Sequence, residues 1–261
     1  MISKRRKHLR QNAEMRPLGI YNWTIPALST SLLSGEKVVT CPNAGACAAF
    51  CYARTNTYRY PAVMQSHIAN LTAAMYSDSW VPEIIEEVTH LCRKQRPSHL
   101  GWMSRSHLSD QVALLLDAGS PLIRIHDAGD FFSQQYLDRW VSIAESCSQA
   151  LFYAYTHEVA LLKSNMHRIP GNFLVCFSMG GKQDSLIDQM RDYHAEVFPD
   201  IEAIEKAGYY SQDEHDLLCV VAPSNRIGIP QNNIPHLKKK LAGRTFGDVQ
   251  QSKQRDRSSD G

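Results

Sequence analysis

The chain has 261 residues, of which 43% are hydrophobic and 21% are charged, and its formal net charge at pH 7 is only +2. This composition is typical of a globular protein with a sizeable core, and it excludes a polycation. Because no apolar stretch approaches the ~20 residues that span a bilayer, and no apolar segment of a signal peptide follows the basic N-terminus, we expect a cytoplasmic protein without a membrane partner.

Lysine and arginine residues are concentrated at both ends of the chain. Residues 1–20 are predicted to form a basic N-terminal arm, and residues 243–261 a disordered basic C-terminal tail, because such polar segments bury too little apolar surface to fold. The segment 21–242 between them is predicted to be a single domain. Basic runs are most often solvated, but they can also follow phosphates, so nucleic acid is a candidate partner.

The first half of this domain is predicted to be largely helical. A short strand is expected over Ile25–Thr30, and a cysteine-rich loop follows it. Apolar residues at helical spacing then predict three helices. These cover Pro61–Met75, Trp80–Lys94 and Ser109–Ala118.

From Leu122 onward, short apolar runs alternate with helical patterns. One predicted strand starts at Leu122, and three more span Leu151–Thr156, Asn172–Gly181 and Leu217–Pro223. Three helices are predicted between these strands. The first follows the cap residue Ser133, the second starts near Val159, and the third spans Asp184–Arg191. Repeated strand–loop–helix units predict an α/β fold with a parallel sheet, in which the chemistry gathers in the loops that follow the strands.

Three of the seven cysteines, Cys41, Cys47 and Cys51, fall within eleven residues with the spacing C-x5-C-x3-C. In a reducing compartment, closely spaced thiols suggest a metal or redox chemistry rather than disulfides. The spacing differs from the paired C-x2-C knuckles of structural zinc sites. Three thiolates on a slim loop would suit a [4Fe–4S] cluster with one open iron. A structural zinc ion and three unligated cysteines are the alternatives.

The predicted strand at Leu122 carries polar residues near its end. Its two-residue period places Arg124 and His126 on one face, which would be the interior if the βα units form a barrel. Uncompensated polar groups are costly there, so the pattern predicts a wet, functional interior. The alternative is an edge strand with one solvated face.

An acidic loop completes this motif, with Asp127 and Asp130 on either side of Gly129. Glycine permits a positive φ or a close backbone approach. The two carboxylates could receive an ammonium group or a metal ion. Taken alone, such a His/Asp loop would also suit a metallohydrolase.

The order of these motifs resembles that of the radical S-adenosylmethionine (SAM) superfamily over roughly residues 25–223. In that superfamily a C-x3-C-x2-C loop with an aromatic residue before its last cysteine follows the first barrel strand; here Phe50 precedes Cys51, but the spacing is expanded. A GGE-type loop after the second strand holds the amino group of SAM, and the segment 128–130 (Ala-Gly-Asp) takes its place here. The resemblance implies a partial TIM-type (βα) barrel with additional helices after the cysteine loop.

The same resemblance implies a cofactor set and a mechanism. Cys41, Cys47 and Cys51 would bind a [4Fe–4S] cluster, and SAM would attach to its open iron. An electron from a one-electron reductant would cleave SAM to a 5′-deoxyadenosyl radical, which abstracts a hydrogen atom from the substrate. The implied cofactor-binding residues are Ala128, Gly129, Asp130, Thr156, Ser178 and Lys182, and the predicted catalytic residues are Arg124, His126 and Asp127.

A second resemblance is to a phage-encoded family called gene product eighty-eight, on the motifs CPxAxxC followed by FCYA, H-D-x-G-D-F-F and FYAYT. A phage origin implies the host cytoplasm, and it makes a nucleotide or nucleic acid a candidate substrate. Two other functions are carried forward as alternatives. One is a zinc-containing, transglycosylase-like barrel enzyme that modifies nucleic-acid bases through Asp127 or Asp130, and the other is a metal-stabilised binding protein without catalysis.

Overall fold

The computed structural model describes residues 7–102, 106–231 and 234–259. The strands in these ranges are β1 Ile20–Trp23, β2 Ser29–Ser31, β3 Lys37–Val39, β4 Leu122–Ile125, β5 Leu151–Thr156, β6 Phe173–Ser178, β7 His194–Phe198, β8 Tyr210–Ser211 and β9 Arg226–Pro230. The α-helices are α1 Cys47–Phe50, α2 Pro61–Tyr76, α3 Trp80–Cys92, α4 Asp110–Asp117, α5 Gln134–Ser146, α6 Val159–Asn165, α7 Ile201–Lys206, α8 Leu218–Val221, α9 Pro235–Leu241 and α10 Phe246–Ser259.

Seven parallel strands form the main sheet, in the order β1-β4-β5-β6-β7-β9-β8. Every neighbouring pair in it is parallel, whereas β2 and β3 form a separate antiparallel hairpin. From β1 to β7 the strands of this sheet follow one another in chain order, as repeated right-handed βα units arrange them. The predicted α/β class is confirmed as a parallel sheet flanked by helices, and no pairing within the described ranges closes it into a barrel.

The core on one side of the sheet is built from aromatic side chains. Trp23, Trp80 and Trp140 are fully buried, with ring centroids 5.2 to 5.9 Å apart. The indole N–H of Trp23 donates to the hydroxyl of Tyr136 at 2.8 Å. Ser133 caps α5 by accepting from the backbone N–H of Tyr136 at 3.2 Å, as the sequence predicts. These contacts hold strand β1 and helices α3 and α5 together.

The first strand of the sheet lies earlier in the chain than predicted. The sequence favours Ile25–Thr30, but β1 is Ile20–Trp23 and pairs with β4. Proline has no N–H for a ladder hydrogen bond, and Pro26 stands inside the predicted strand. Residues 24–28 of this region instead form an irregular segment with a bend, and Ser29 and Thr30 belong to β2 of the hairpin.

Two predictions in the second half of the chain are also wrong. The apolar run Leu217–Pro223 contains the short buried helix α8 rather than a strand, and the strand follows at Arg226–Pro230. Periodicity cannot distinguish a short buried helix from a strand in such a run. The predicted helix Asp184–Arg191 is reduced to a single 3-10 turn. Its Asp184 carboxylate accepts hydrogen bonds from two preceding glycine N–H groups at 2.8 Å, which competes with helix formation.

The basic N-terminal arm is packed against the domain from residue 8 onward. His8 and Leu9 are buried. The backbone N–H of His8 donates to the carboxylate of Glu87 at 2.9 Å. Nε2 of the His8 ring lies 2.7 Å from a carboxylate oxygen of Glu83. Residues 1–6 lie outside the described residues. None of the helices in the described ranges has the length and apolar character needed to cross a bilayer.

Candidate functional site

The cysteine loop, residues 41–51, lies over the carboxyl end of the parallel sheet, beside the ends of β5 and β6. The backbone N–H of Cys47 donates to the carbonyl of Gly180 at 3.1 Å. Glu158, which follows β5, accepts from the backbone and the side chain of Asn43 at 2.9 and 2.6 Å. The loop is therefore held at the edge of the sheet where the chemistry of parallel α/β folds gathers.

The C-terminal segment covers this loop. The tail predicted to be disordered from residue 243 contains helix α10 instead, and its first turns face the protein. The side chain of Gln250 is buried and accepts from the backbone N–H of Ala46 at 2.8 Å. Phe246 stacks on Phe50 with ring centroids 5.2 Å apart. The sequence did not predict this contact. The segment has a low apolar content, because only a few of its residues face the cysteine loop.

A buried carboxyl group holds the first turn of α10. Glu196 on β7 accepts hydrogen bonds from the backbone N–H of Gly247 at 3.1 and 3.2 Å. Burial is the main reason that the pKa of Glu196 is raised to about 7, and the backbone N–H groups of Gly247 and Val197 only partly oppose this rise. The carboxyl group is therefore protonated in the folded protein at a pH where it would be ionised in the unfolded chain.

We expect this difference to make the protein less stable as the pH rises from about 4.5 to about 7. In that window the unfolded chain releases the proton while the folded protein keeps it, so the free energy of unfolding should fall by roughly 1–3 kcal/mol. In Glu196→Gln this contribution should be absent. Urea unfolding at pH 5 and pH 8 measures it, with the exposed Glu205→Gln as control. Equal pH dependence in the two variants would contradict the prediction.

The three thiols share one electrostatic neighbourhood. Burial, the nearby Asp130 carboxylate and the other two thiols raise the pKa of Cys41 far above its ordinary value. Burial and Cys47 raise the pKa of Cys51 to about 11. Within the described residues, however, no group of three or more His, Cys, Asp or Glu side chains converges as the ligands of one metal ion do. The thiols are neighbours that do not meet at a single point.

Asp130 and His157 lie beside these thiols. Oδ1 of Asp130 accepts from the backbone N–H of Phe131 at 2.8 Å and from the hydroxyl of Thr156 at 2.6 Å. Its Oδ2 accepts from the backbone N–H of His157 at 2.9 Å. Burial alone would raise the pKa of Asp130, but His157 and Thr156 hold it below its ordinary value. Burial likewise opposes a charge on His157, yet Cys47 and Asp130 raise its pKa well above the usual range.

His126 does not share a face with Arg124, contrary to the sequence prediction. Strand β4 ends at Ile125, and His126 has a positive φ of 68°, so the alternation of the strand stops before it. Its ring packs against Phe131 and Tyr136, with centroids 4.6 and 5.5 Å apart. Burial lowers the pKa of His126 to about 4. The neutral imidazole thus lies in the aromatic core.

Arg124 extends from the other face of β4 into a buried polar cluster. Its Nη1 lies 3.3 Å from Oδ1 of Asp216 and 3.7 Å from Oδ1 of Asp127. The guanidinium carbon lies 5.1 Å from the ring centroid of Tyr155, and the hydroxyl of Tyr153 donates to Asp216 at 2.6 Å. Burial opposes the charge of Arg124, but Asp216 and the groups around it raise its pKa well above the usual range. Arg124 therefore lies in a buried polar cluster, and Asp216, 92 residues away, is its main partner.

Asp127 joins this polar cluster to the cysteine loop. The hydroxyl of Tyr58 donates to its Oδ2, and the hydroxyl of Tyr52 donates to its backbone carbonyl. Tyr52 directly follows Cys51 in the chain. No pattern in the sequence selects Tyr52 for a role, although its position next to a candidate ligand is a usable signal.

The turn after β4 brings its backbone close to the chain near β1. The carbonyl of Ala128 accepts from the N–H of Ile25 at 3.1 Å. Gly129 has a φ of 90°, and a Cβ there would lie 2.8 Å from Cδ1 of Ile25. Both properties require glycine at this position, as the sequence predicts for a close backbone approach.

The other predicted cofactor-binding residues lie at the same edge. Thr156 ends β5 and bonds Asp130, while Ser178 ends β6 and is half-buried. The ammonium group of Lys182 donates to the carbonyl of Pro42 at 2.6 Å and so fastens the start of the cysteine loop. The structure brings all three residues to the thiol edge of the sheet.

A family model described as Gene product 88 matches residues 1–258. No curated protein and no solved structure matches. The match agrees with the second resemblance noted from the sequence, whereas no family match supports the radical SAM resemblance.

Proposed function

The chain belongs to the gene product 88 family, and we propose that it is an iron–sulfur enzyme that reductively cleaves SAM to start radical chemistry on a substrate. The observation that carries this proposal is the gathering of three thiols, Asp130 and His157 at the carboxyl end of a parallel sheet. The strands of the parallel sheet follow one another in chain order from β1 to β7, an order that a partial TIM-type barrel would also have, and this supports the proposal.

The cysteine loop carries the three thiols that a [4Fe–4S] cluster with one open iron would need. Cys41, Cys47 and Cys51 lie within eleven residues of chain, and Cys47 and Cys51 help to raise the pKa of Cys41. The loop is slim as well, since a Cβ on Gly45 would lie 2.8 Å from the carbonyl oxygen of Gly180. Cys41, Cys47 and Cys51 would hold the cluster.

When bound, the cluster would supply the electron that splits SAM. The chain's own residues would bind and orient the reactants. The 128–130 turn, Thr156, Ser178 and Lys182 border the place where the polar end of SAM would lie. Arg124 keeps a buried Nε without a hydrogen-bond partner among the described residues, so it can receive a polar group of the substrate. Asp127 connects this guanidinium to the thiols through Tyr52.

Anaerobic reconstitution with iron and sulfide, followed by metal analysis and a SAM-cleavage assay under dithionite, tests the proposal. We expect about four irons with matching acid-labile sulfide per chain, and 5′-deoxyadenosine as a product. A protein that binds no iron would overturn the proposal. A protein that binds the cluster but leaves SAM intact would remove the enzymatic part of it.

The zinc-containing, transglycosylase-like alternative makes a different prediction for the same measurement. It requires one zinc ion per chain and ligands that converge on it. No such convergence is present among the described residues. One equivalent of zinc that iron cannot replace would favour this alternative over the iron–sulfur proposal.

We also propose that the substrate is a nucleic acid or a nucleotide. Residues 234–259, which form α9 and α10, contain seven Lys or Arg residues and two Asp residues, whereas the whole chain has a net charge of only +2. The basic surface consists of the exposed residues Lys238, Lys239, Lys240, Arg244, Lys253 and Arg255. It adjoins the cysteine loop, because the ammonium group of Lys240 donates to the carbonyl of Ala49 at 3.1 Å. A phosphate backbone bound here would pass beside the thiols.

This proposal predicts a change in salt dependence. Lys238→Gln/Lys239→Gln should bind single-stranded DNA or RNA more weakly, and the slope of log affinity against log salt should become shallower by about 1.4, since each lost phosphate contact removes about 0.7. Arg93→Gln/Lys94→Gln is the matched control, because both residues are exposed. They lie near Arg96, whose carbonyl oxygen would be 2.6 Å from a Cβ on Gly119, the residue that precedes β4 at the opposite end of the sheet. Fluorescence anisotropy at several salt concentrations measures both. Equal slopes in the two variants would contradict a nucleic-acid surface on α9.

A further inference from the structure

The segment 52–60, which directly follows the cysteine loop, carries positive charge in a part of the chain that has no carboxylate side chain. Between Glu36 and Asp78 the sequence contains no Asp or Glu, although the whole chain contains 26. Arg54 and Arg59 are exposed, and neither forms an ion pair with another described residue. Both guanidinium groups are therefore available to bind phosphate groups.

This segment and the basic surface of α9 border the same end of the cysteine loop. Nζ of Lys240 donates to the carbonyl of Ala49 at 3.1 Å and lies 5.4 Å from the ring centroid of Phe50. The backbone N–H of Arg54 donates to the carbonyl of Cys51 at 3.2 Å. A nucleic-acid strand that follows both basic segments would therefore pass the last thiol of the loop.

Three tyrosines lie in the segment 52–60, and two of them are engaged within the protein. The hydroxyls of Tyr52 and Tyr58 donate to Asp127, and their rings pack edge to face with centroids 5.7 Å apart. Tyr60 differs from them, because it is 61% exposed and its ring packs against no other aromatic ring of the described residues. Most of the Tyr60 side chain is therefore accessible to a ligand.

The backbone holds Tyr60 in a fixed position. It is the last residue before α2, whose first residue is Pro61. The N–H of Tyr60 donates to the carbonyl of Thr57 at 3.1 Å, and its carbonyl accepts from the N–H of Met64 at 3.0 Å. An exposed tyrosine on a fixed backbone loses little conformational entropy when a ligand stacks on it, because only its two χ angles remain to be ordered.

We propose that Tyr60 is the platform on which a base of the nucleic-acid substrate stacks, and that Arg54 and Arg59 bind the phosphates beside that base. This inference rests on the proposed nucleic-acid substrate. It specifies a single strand at this point, because the bases of a duplex are stacked on one another and do not offer their faces to a side chain. Every base has a π-face, so Tyr60 positions the strand without selecting its sequence.

Fluorescence anisotropy of the full chain with labelled single-stranded DNA and RNA of about 20 nucleotides tests this inference. Tyr60→Ala should bind both strands about 5–150-fold more weakly, as expected for the loss of one stacked base. The slope of log affinity against log salt should not change, since no charge is lost. Tyr60→Phe should restore the affinity, because it keeps the ring.

Tyr76→Ala is the matched control for the stacking residue. Tyr76 is 56% exposed and is the last residue of α2, about 24 Å along that helix from Tyr60. This variant should bind like the wild type. Arg54→Gln/Arg59→Gln should instead make the salt slope shallower by about 1.4, because two phosphate contacts of about 0.7 each are lost.

An abasic oligonucleotide of the same length separates stacking from charge, since it keeps the phosphates and lacks the bases. The wild-type chain should bind it more weakly than the complete strand, and this measurement requires no variant. Wild type and Tyr60→Ala should bind the abasic strand with equal affinity. They should also bind a duplex of the same sequence equally, because its bases cannot stack on Tyr60.

The outcomes separate this inference from the function on which it rests. If Tyr60→Ala binds the complete strand as tightly as the wild type, or loses as much affinity for the abasic strand, Tyr60 is not a stacking platform. The nucleic-acid surface on α9 still stands in that case if Lys238→Gln/Lys239→Gln binds more weakly. A wild-type protein that binds no oligonucleotide would overturn both this inference and the proposed substrate, whereas the iron and SAM measurements test the iron–sulfur function separately.

Discussion

Cys47→Ser should bind far less iron than the wild-type protein, with at least about a tenfold loss after anaerobic reconstitution. Loss of an outer-shell partner already costs about 10–100-fold in metal affinity, and loss of a thiolate ligand should cost more. Serine keeps the size of the side chain, so the backbone contact of residue 47 with Gly180 can persist. The measurement is iron and sulfide per chain together with the visible absorbance of the cluster.

Cys92→Ser is the matched control for this variant. Cys92 is a half-buried free cysteine at the end of α3, outside the thiol site. It should retain the iron content and absorbance of the wild type. Circular dichroism of both variants shows whether the fold is intact. A Cys47→Ser protein that is folded and keeps the full cluster would refute the assignment of Cys47 as a ligand.

Arg124→Met should destabilise the fold by about 3–5 kcal/mol, because it leaves the buried Asp216 carboxylate without its cation. The side chains of Arg124 and Asp216 are 12% and 8% exposed, so water compensates little for the lost partner. Tyr153 would still donate to Asp216, but a neutral hydroxyl does not balance the charge. The free energy of unfolding in urea measures the effect.

An exposed ion pair provides the comparison for this prediction. Arg168 and Asp138 lie 2.9 Å apart, with side chains 46% and 40% exposed. Arg168→Met should cost about 1 kcal/mol or less, since exposed pairs contribute little. The double variant Arg124→Met/Asp216→Asn should recover part of the loss, because it removes the unpaired charge as well. If Arg124→Met costs no more than Arg168→Met, the buried cluster does not depend on this ion pair.

The amino-acid sequence by itself determined the features that depend on short stretches of chain. The alternating runs after Leu122 predicted the βα units, and Ser133 predicted the start of α5, because period and capping are local properties. The spacing of the three cysteines predicted a [4Fe–4S] site, and this stays a prediction. Gly129 was predicted to allow a close backbone approach, and its positive φ agrees with this.

The tertiary structure alone decided which distant residues meet. Asp216 reaches Arg124, Gln250 reaches the cysteine loop, and His157 comes to Cys47 across the Gly180–Gly181 turn. His126 lies in the aromatic core because its positive φ ends the alternation of side-chain direction along β4. Periodicity and propensity describe a residue's near neighbours, whereas these contacts depend on how βα units stack into a sheet. For that reason the sequence could place Asp130, Thr156, Ser178 and Lys182 near the cysteine loop, whereas it could not predict the contacts of Asp216 and Gln250.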